Sequence, residues 1–305
     1  MSVNELLKRI EAEKDTVKKA QYSLIGLQKL QETMKEYGGE YRLVWSTDLA
    51  LELKNRPIES TFKTGIGKLD DITGGFSGEQ LITISAHSKH GKTAFGLFLL
   101  EKMEALNPLM IPLEQSNEEL IRQREFNDWS IPKFLSPRKL ASRVTVDWIE
   151  ERVVEGIAKY NTKLVVIDHL GYINDKDEEN RRENLAYRIE KMMQNLKNVA
   201  KKWNVVIVLL VHIVKTDEGR PPALEDLKGS ASILQESDMV IMLWRKNALK
   251  KKVRVYENRT LISVLANRRT GKNGNVGLEF NDKTGRYFEN HDWVEAMERA
   301  ALQEV

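Results

Sequence analysis

Five short apolar runs, at 81–85, 109–113, 164–167, 205–211 and 239–243, alternate with stretches of helical character at 93–106, 117–127 and 183–203. Runs that are apolar at nearly every residue, many of them β-branched, must be buried on both faces. Separated by helices, they predict an α/β domain with a largely parallel, twisted sheet and helices on both sides. Ser116-Asn117-Glu118-Glu119 opens the second helical stretch with the residue order of a capping box. After Leu243 the alternation stops. Strands around 254–256, 261–266 and 276–280 follow without helices, which predicts an antiparallel edge. A last amphipathic helix is expected from about Trp293 to Gln303.

The flanks read differently. In residues 1–40, Val3, Leu6, Ile10, Val17, Ala20, Leu24, Leu27 and Met34 recur at helical spacing among Lys, Glu, Gln and Asp, and Gly38-Gly39 ends the run. Such a stripe packs either on its own domain or on a neighbouring subunit, and the pattern favours neither. Residues 41–60 read as a connector broken by Pro57. The expected organisation is an arm and linker over 1–60, a domain over 61–290 and a C-terminal helix over 291–305. The chain has no cysteine, which excludes disulfide scaffolds, thiol catalysis and Cys-ligated metals. Its net charge of +3 means that any basic surface must be local. No apolar run reaches the roughly 18 residues that span a bilayer, and the charged N-terminus does not resemble a signal peptide. The expectation is a cytoplasmic protein with no membrane partner.

Between the first apolar run and the first helix lies Ala86-His87-Ser88-Lys89-His90-Gly91-Lys92-Thr93, a P-loop with Ala in place of the first Gly. Loop amides and a helix N-terminus there point at a phosphate. The cradle is therefore expected from Ser88, Lys89, His90, Gly91, Lys92, Thr93 and Ala94. Lys92 would bring its charge to the β/γ oxygens of ATP, and the Thr93 hydroxyl would ligate Mg²⁺. Gly65-Ile66-Gly67-Lys68-Leu69-Asp70 lacks a third glycine and precedes its strand, so a dinucleotide fold is disfavoured. Ligands bind beyond the carboxyl ends of parallel strands, and three later runs end in polar residues. Glu114 is a candidate base or water-orienting carboxylate, Asp168 a Walker B acid for the metal shell, and His212 a sensor of the γ-phosphate.

With these motifs in this order, the stretch 62–289 resembles the motor domain of DnaB-family replicative helicases, a RecA-like ATPase that acts as a hexameric ring. The resemblance is carried by Thr64-Gly65-Ile66-Gly67-Lys68-Leu69-Asp70 with Thr73-Gly74-Gly75, by the Ala-type P-loop, by Leu113-Glu114, by Val166-Ile167-Asp168 and by the gapless segment 226–238. It implies that Lys228, Gly229 and Ser230 touch the backbone of single-stranded DNA inside the ring. It also implies an arginine finger at Asn267-Arg268-Arg269-Thr270-Gly271, with Arg268 and Arg269 both open. His212 stands where Twinkle-like and phage enzymes carry His, which implies a phage or plasmid lineage. Fewer residues precede the motor than in DnaB, and no primase module is expected. The arm would then latch onto the next subunit, and a primase or loader would be a separate partner. Two other classes compete: a RecA/RadA-like recombination ATPase forming filaments on single strands, and a non-motor ATP-binding loader. The acidic and basic stretch 175–188 reads as a solvated loop or as a second strand-contacting loop.

Overall fold

A computed structural model of the chain describes residues 43–55, 61–173, 185–213, 219–227, 230–250 and 253–303. The chain divides into two units, Met1–Ile58 and Glu59–Val305. In the first, the described part is one helix, α1 (Ser46–Asn55), within the stretch that reads as a connector. Asp48 in its first turn and Lys54 in its last complement the helix dipole; Pro57 lies outside the described residues. The long helix expected over 1–40 lies outside the described residues.

The second unit is built on an eight-stranded sheet in the order β2-β3-β4-β1-β5-β6-β7-β8. Its strands are β1 (Leu81–Ala86), β2 (Leu109–Pro112), β3 (Leu164–Asp168), β4 (Val206–His212), β5 (Met239–Lys250), β6 (Val253–Asn267), β7 (Gly274–Asn281) and β8 (Arg286–Glu289). Strands β2, β3, β4, β1 and β5 pair in parallel, and β5 to β8 pair antiparallel. The helices are α2 (Gly67–Thr73), α3 (Lys92–Lys102), α4 (Asn117–Phe126), α5 (Val146–Tyr160), α6 (Leu185–Trp203), α7 (Ser230–Glu236) and α8 (Asp292–Gln303).

Two-sided burial explains the runs. In β4, Val206, Val208 and Leu210 enter the apolar cluster that includes Phe95 and Leu99 of α3. Val205 before the strand, and Ile207, Leu209 and Val211 within it, enter the opposite cluster with Ile149 and Val153 of α5 and Met193 and Leu196 of α6. Each such side chain contributes about 1.5–3 kcal/mol by leaving water, so neither face tolerates an unpaired polar group. The two polar residues of β1 are satisfied: the Thr83 hydroxyl pairs with that of Ser237 at 2.7 Å, and Ser85 donates to the Val211 carbonyl at 2.9 Å.

The antiparallel edge departs from expectation in one respect. The strands anticipated around 254–256 and 261–266 are a single strand, β6, and β5 runs seven residues past Leu243. Glu257-Asn258-Arg259 looks like a break in sequence, and there the ladder to β5 is interrupted by a register shift, pairing as Arg245 with Thr260 on one side and Asn247 with Tyr256 on the other, while β6 itself continues through it. The family-like segment at 64–75 also gains a physical account. The buried Asp70 carboxylate accepts from the Thr64 amide (2.8 Å), the Thr64 hydroxyl (2.9 Å) and the Gly65 amide (3.2 Å). Helix α2 has no cap from its own N-cap residue. Glu289 of β8 supplies one, accepting from the Gly67 amide at 2.7 Å. Helix α8 packs in this unit through Trp293 and Val294, against Trp244 and Leu261.

Candidate active site

Strand β1 delivers Ala86 to the carboxyl end of the sheet, between His212 of β4 and Leu243 of β5. The loop then turns into α3 through Gly91, whose φ of 85° lies in the left-handed region. A Cβ there would meet the Tyr287 hydroxyl at 2.6 Å, so the loop lies directly on that ring. Behind the turn, Lys92 is almost fully buried, and its Nζ has no hydrogen-bond partner. Burial lowers its pKa, against the pull of the Asp168 and Glu114 carboxylates. Asp168 is fully buried; its Oδ2 accepts from the Thr93 hydroxyl at 2.7 Å, while its Oδ1 is unpartnered. Burial raises the Asp168 pKa, with the Thr93 hydrogen bond and Lys92 opposing. A buried amine and a buried carboxylate oxygen, each unsatisfied and flanking one hydroxyl, fit a phosphate oxygen and a hard, oxygen-ligated cation.

The neighbouring strand ends complete a cleft of about 440 Å³, lined by loop residues together with Glu114, Gln123, Arg124, Trp129 and His212. The Asp168 carbonyl accepts from the amides of Leu113 (2.6 Å) and Glu114 (3.1 Å), which fixes where Glu114 leaves β2. Its carboxylate lies 3.2 Å from His212 Nε2. His169, one residue past Asp168, stacks on His212 with ring centroids 4.3 Å apart. Ligating atoms of Glu114, His169 and His212 all lie within 4.8 Å of one another. However, His169 Nδ1 accepts from the Gly171 amide at 2.9 Å, so the lone pair of the neutral ring is already used. Among the cradle residues, Ser88 and Lys89 are exposed and Lys89 has a positive φ of 66°. The His90 ring instead turns inward, where Nδ1 accepts from the Arg245 amide at 2.9 Å.

The two arginines separate. Arg268 donates to the carbonyls of Gln235 and Leu234, closing the end of α7 in its own subunit. Arg269 is exposed, and its guanidinium has no partner among the described residues. Both lie far from their own cradle. Asn267 pairs with Met239, which pairs with Ile82, so the arginines leave the sheet at the amino end of the parallel strands. The cradle is at the carboxyl end of β1, roughly 15 Å away along the strand. Of the expected DNA-contacting residues, Lys228 and Gly229 lie outside the described residues, and Ser230 begins α7. The root of that segment is fixed, because Leu227 bridges Ile213, the residue after His212. Asp226 is held by both Arg220 nitrogens at 2.9 and 3.0 Å and by the Ala223 amide at 2.8 Å.

The family profile of the DnaB-like helicase C-terminal domain matches residues 61–133 and 139–290. This chain belongs to the DnaB-like helicase family. Relatives include a probable replicative DNA helicase of Trieres chinensis, 27% identical over 80% of this chain and 61% of that protein. Another is the replicative DNA helicase DnaB of Mycoplasma genitalium, 28% identical over 76% of this chain and 57% of that protein. The DNA helicase/primase of Enterobacteria phage T3 is 26% identical over 77% of this chain and 48% of that one. The chain thus spans about three-fifths of the length of the first two. Among solved structures, a DnaB-like replicative helicase described with its interactions with primase aligns at TM-score 0.65 and 19% identity, over 92% of this chain and 75% of that one. A second solved structure, an isolated ATPase domain, aligns at TM-score 0.64, also at 19% identity, over 80% of this chain and 96% of that one. These likenesses establish the DnaB-like, RecA-type fold.

Sequence reasoning did not find four cleft or loop-supporting residues of this DnaB-like domain: Arg124, Trp129, His169 and Tyr287. His169 was within reach, since it follows a strand-end Asp. Trp129 was not. Its Nε1 donates to the Asp282 carbonyl 153 positions later, a contact with no local signal.

Proposed function

We propose that this chain is the motor of a ring-forming, ATP-dependent replicative DNA helicase that translocates on single-stranded DNA. The observation that carries this reading is the placement of an unpartnered guanidinium, Arg269, at the opposite end of the sheet from its own phosphate cradle. An arginine so placed serves a second copy, and copies that meet head to tail with rotational closure form rings.

In this reading Lys92 and the loop amides bind the β- and γ-phosphates of ATP, and Thr93 and Asp168 hold Mg²⁺. When bound, the ion neutralises charge on the phosphate oxygens. Glu114 orients the attacking water and accepts its proton. His212, hydrogen-bonded to Glu114, registers whether a γ-phosphate is present. It passes that state through Ile213 and Leu227 to Lys228, Gly229 and Ser230, which grip the single-strand backbone. Arg269 of the adjacent subunit stabilises charge in the transition state. Arg268 holds α7 beneath the DNA-contacting segment.

Apolar residues on and before α1 support an arm that docks on the next subunit: Leu43, Trp45 and Leu51 are exposed by 100, 80 and 63%. Among the described residues no helix is long and apolar enough to cross a membrane. The proposed setting is the cytoplasm, with a primase or loader as partner. The test combines ATPase assays with and without oligo(dT), unwinding of a forked duplex, and electron microscopy with a non-hydrolysable ATP analogue. DNA-stimulated turnover, strand separation and closed rings are expected. Open filaments would replace this reading with a recombination ATPase, and absence of turnover under both conditions would replace it with a loader.

A further inference from the structure

We propose that His169 is a positioning residue of the hydrolytic site: its ring holds His212 against Glu114 and so sets where the base and the γ-phosphate sensor stand. The inference rests on the helicase reading, in which Glu114 activates water and His212 senses the γ-phosphate. It goes beyond that reading by assigning the group that keeps the two aligned. Glu114 and His212 line the cleft, and His169 does not. His169 therefore acts through its neighbours and touches neither nucleotide nor water in the reaction.

The pair needs such a support. His212 Nε2 and Glu114 Oε2 are 3.2 Å apart, but the two side chains are 28 and 40% exposed. A contact between groups this open to water holds little by itself. Glu114 leaves the end of β2 and His212 ends β4, and β3 lies between those strands. The end of β3 touches both. Its Asp168 carbonyl accepts from the amides of Leu113 and Glu114 at 2.6 and 3.1 Å, which fixes the backbone that carries the base. The next residue, His169, lays its ring on His212, with centroids 4.3 Å apart and planes at 52°. One dipeptide thus positions both members of the pair.

The His169 ring is itself fixed. Its Nδ1 accepts from the Gly171 amide at 2.9 Å, and the Tyr172 ring meets it edge-on at 5.5 Å. A Cβ on Gly171 would stand 3.0 Å from His169 Cε1 and 3.4 Å from Nδ1, so the ring lies directly on that backbone. A ring held this way is a wall. Because it stands outside the cleft, it blocks the rotamers that would turn His212 out of the cleft and away from Glu114. Capping the short turn Leu170–Tyr172 accounts for the Nδ1 bond but not for the ring. Asn, Asp or Ser would supply the acceptor at smaller size, and none of them presents a ring to His212. The effect reaches past hydrolysis, since Ile213 after His212 bridges Leu227 at the root of the 228–230 segment.

Two substitutions in the full chain separate the ring from the cap. His169→Asn keeps an acceptor for the Gly171 amide and loses the ring, and His169→Phe keeps the ring and loses the acceptor. Steady-state ATPase rates with oligo(dT), binding of a fluorescent non-hydrolysable ATP analogue, and melting temperature are measured for both. His169→Asn is expected to lower kcat roughly ten- to a hundredfold, the loss that follows when a reacting group shifts by about 1 Å. Its KM, its affinity for the analogue and its melting temperature should match the parent. His169→Phe should keep most of the parental kcat. A second readout follows the relay. Affinity for oligo(dT) should differ between the ATP analogue and ADP in the parent and in His169→Phe, and should lose that difference in His169→Asn. The opposite order, Asn active and Phe impaired, would make His169 a cap and overturn the proposal. So would parental kcat in both variants, equal losses in both, or a raised KM at parental kcat. A parent protein without turnover, with or without DNA, would overturn the helicase reading and this proposal with it.

Discussion

Lys92 and Asp168 are each more costly to the folded chain than an apolar residue of the same shape. A buried polar atom without a partner costs about 1–3 kcal/mol, and both residues contain one. Lys92→Met should therefore raise the stability of the nucleotide-free protein by about 1 kcal/mol or more, while the thermal shift on adding ATP and Mg²⁺ disappears. Burial lowers the Lys92 pKa, so the penalty on its charged form is full only below the folded-state pKa. The gain from Met should shrink as pH rises through the folded-state pKa and vanish above 10.5, where the amine is neutral in both folded and unfolded chains. Asp168 titrates in the opposite sense. Its raised pKa means the folded state keeps a proton that the unfolded chain has released. The resulting stability is fully present below pH 3.8 and is lost as pH climbs through the folded-state pKa. Asp168→Asn escapes that loss. Denaturant titrations should find it more stable than the parent at pH 7, with the difference closing below pH 3.8. Both residues were legible in sequence, because a strand–loop–helix junction and a strand end fix where such groups must lie. The inward turn of His90 was not, since its partner Arg245 is 155 positions away.

Element by element, legibility follows burial. Strands β1 to β4 could be read because both faces are covered, so every residue reports on its surroundings. The outer half of β5 could not, and that of β6 showed only as a short strand around 254–256, because the two pair with each other alone past the rest of the sheet and so leave little apolar signature. The P-loop falls between these cases: its composition is evident, but the ring beneath it is not. Tyr287 is buried, with its hydroxyl pKa pushed up to about 12, so it stays neutral under any working condition. Gly91→Ala meets two separate obstacles, a φ of 85° and a Cβ 2.6 Å from the Tyr287 hydroxyl. The backbone strain alone costs roughly 1–2 kcal/mol, and the steric clash adds to it. Removing the hydroxyl relieves only the clash. Gly91→Ala should thus lower the melting temperature, and Gly91→Ala with Tyr287→Phe should recover part of the loss. Additive melting shifts would mean that the loop does not rest on that ring.

At the scale of the assembly, the sheet keeps Arg269 and its own cradle apart, which makes a mixing experiment decisive. A Lys92→Ala subunit has a disabled cradle and an intact Arg269, and an Arg269→Ala subunit has the reverse. Each variant alone should form particles of parental mass and hydrolyse almost no ATP, with Arg269→Ala still binding nucleotide. In an equimolar mixture that has exchanged subunits, some seams join the intact cradle of one variant to the intact arginine of the other. Random order in a head-to-tail ring makes about one seam in four competent. Turnover should therefore rise above both parents toward about a quarter of the unmutated rate, and lower if neighbouring seams must fire in sequence. The mixture rate should also depend on exchange, staying at the parental floor when the variants are assembled separately and mixed under conditions that block dissociation. A site completed within one subunit cannot behave this way, because no mixture of two dead subunits contains a live one. A rate that never leaves the floor after verified exchange would reject the shared seam, and with it the placement of Arg269 in a neighbour's active site.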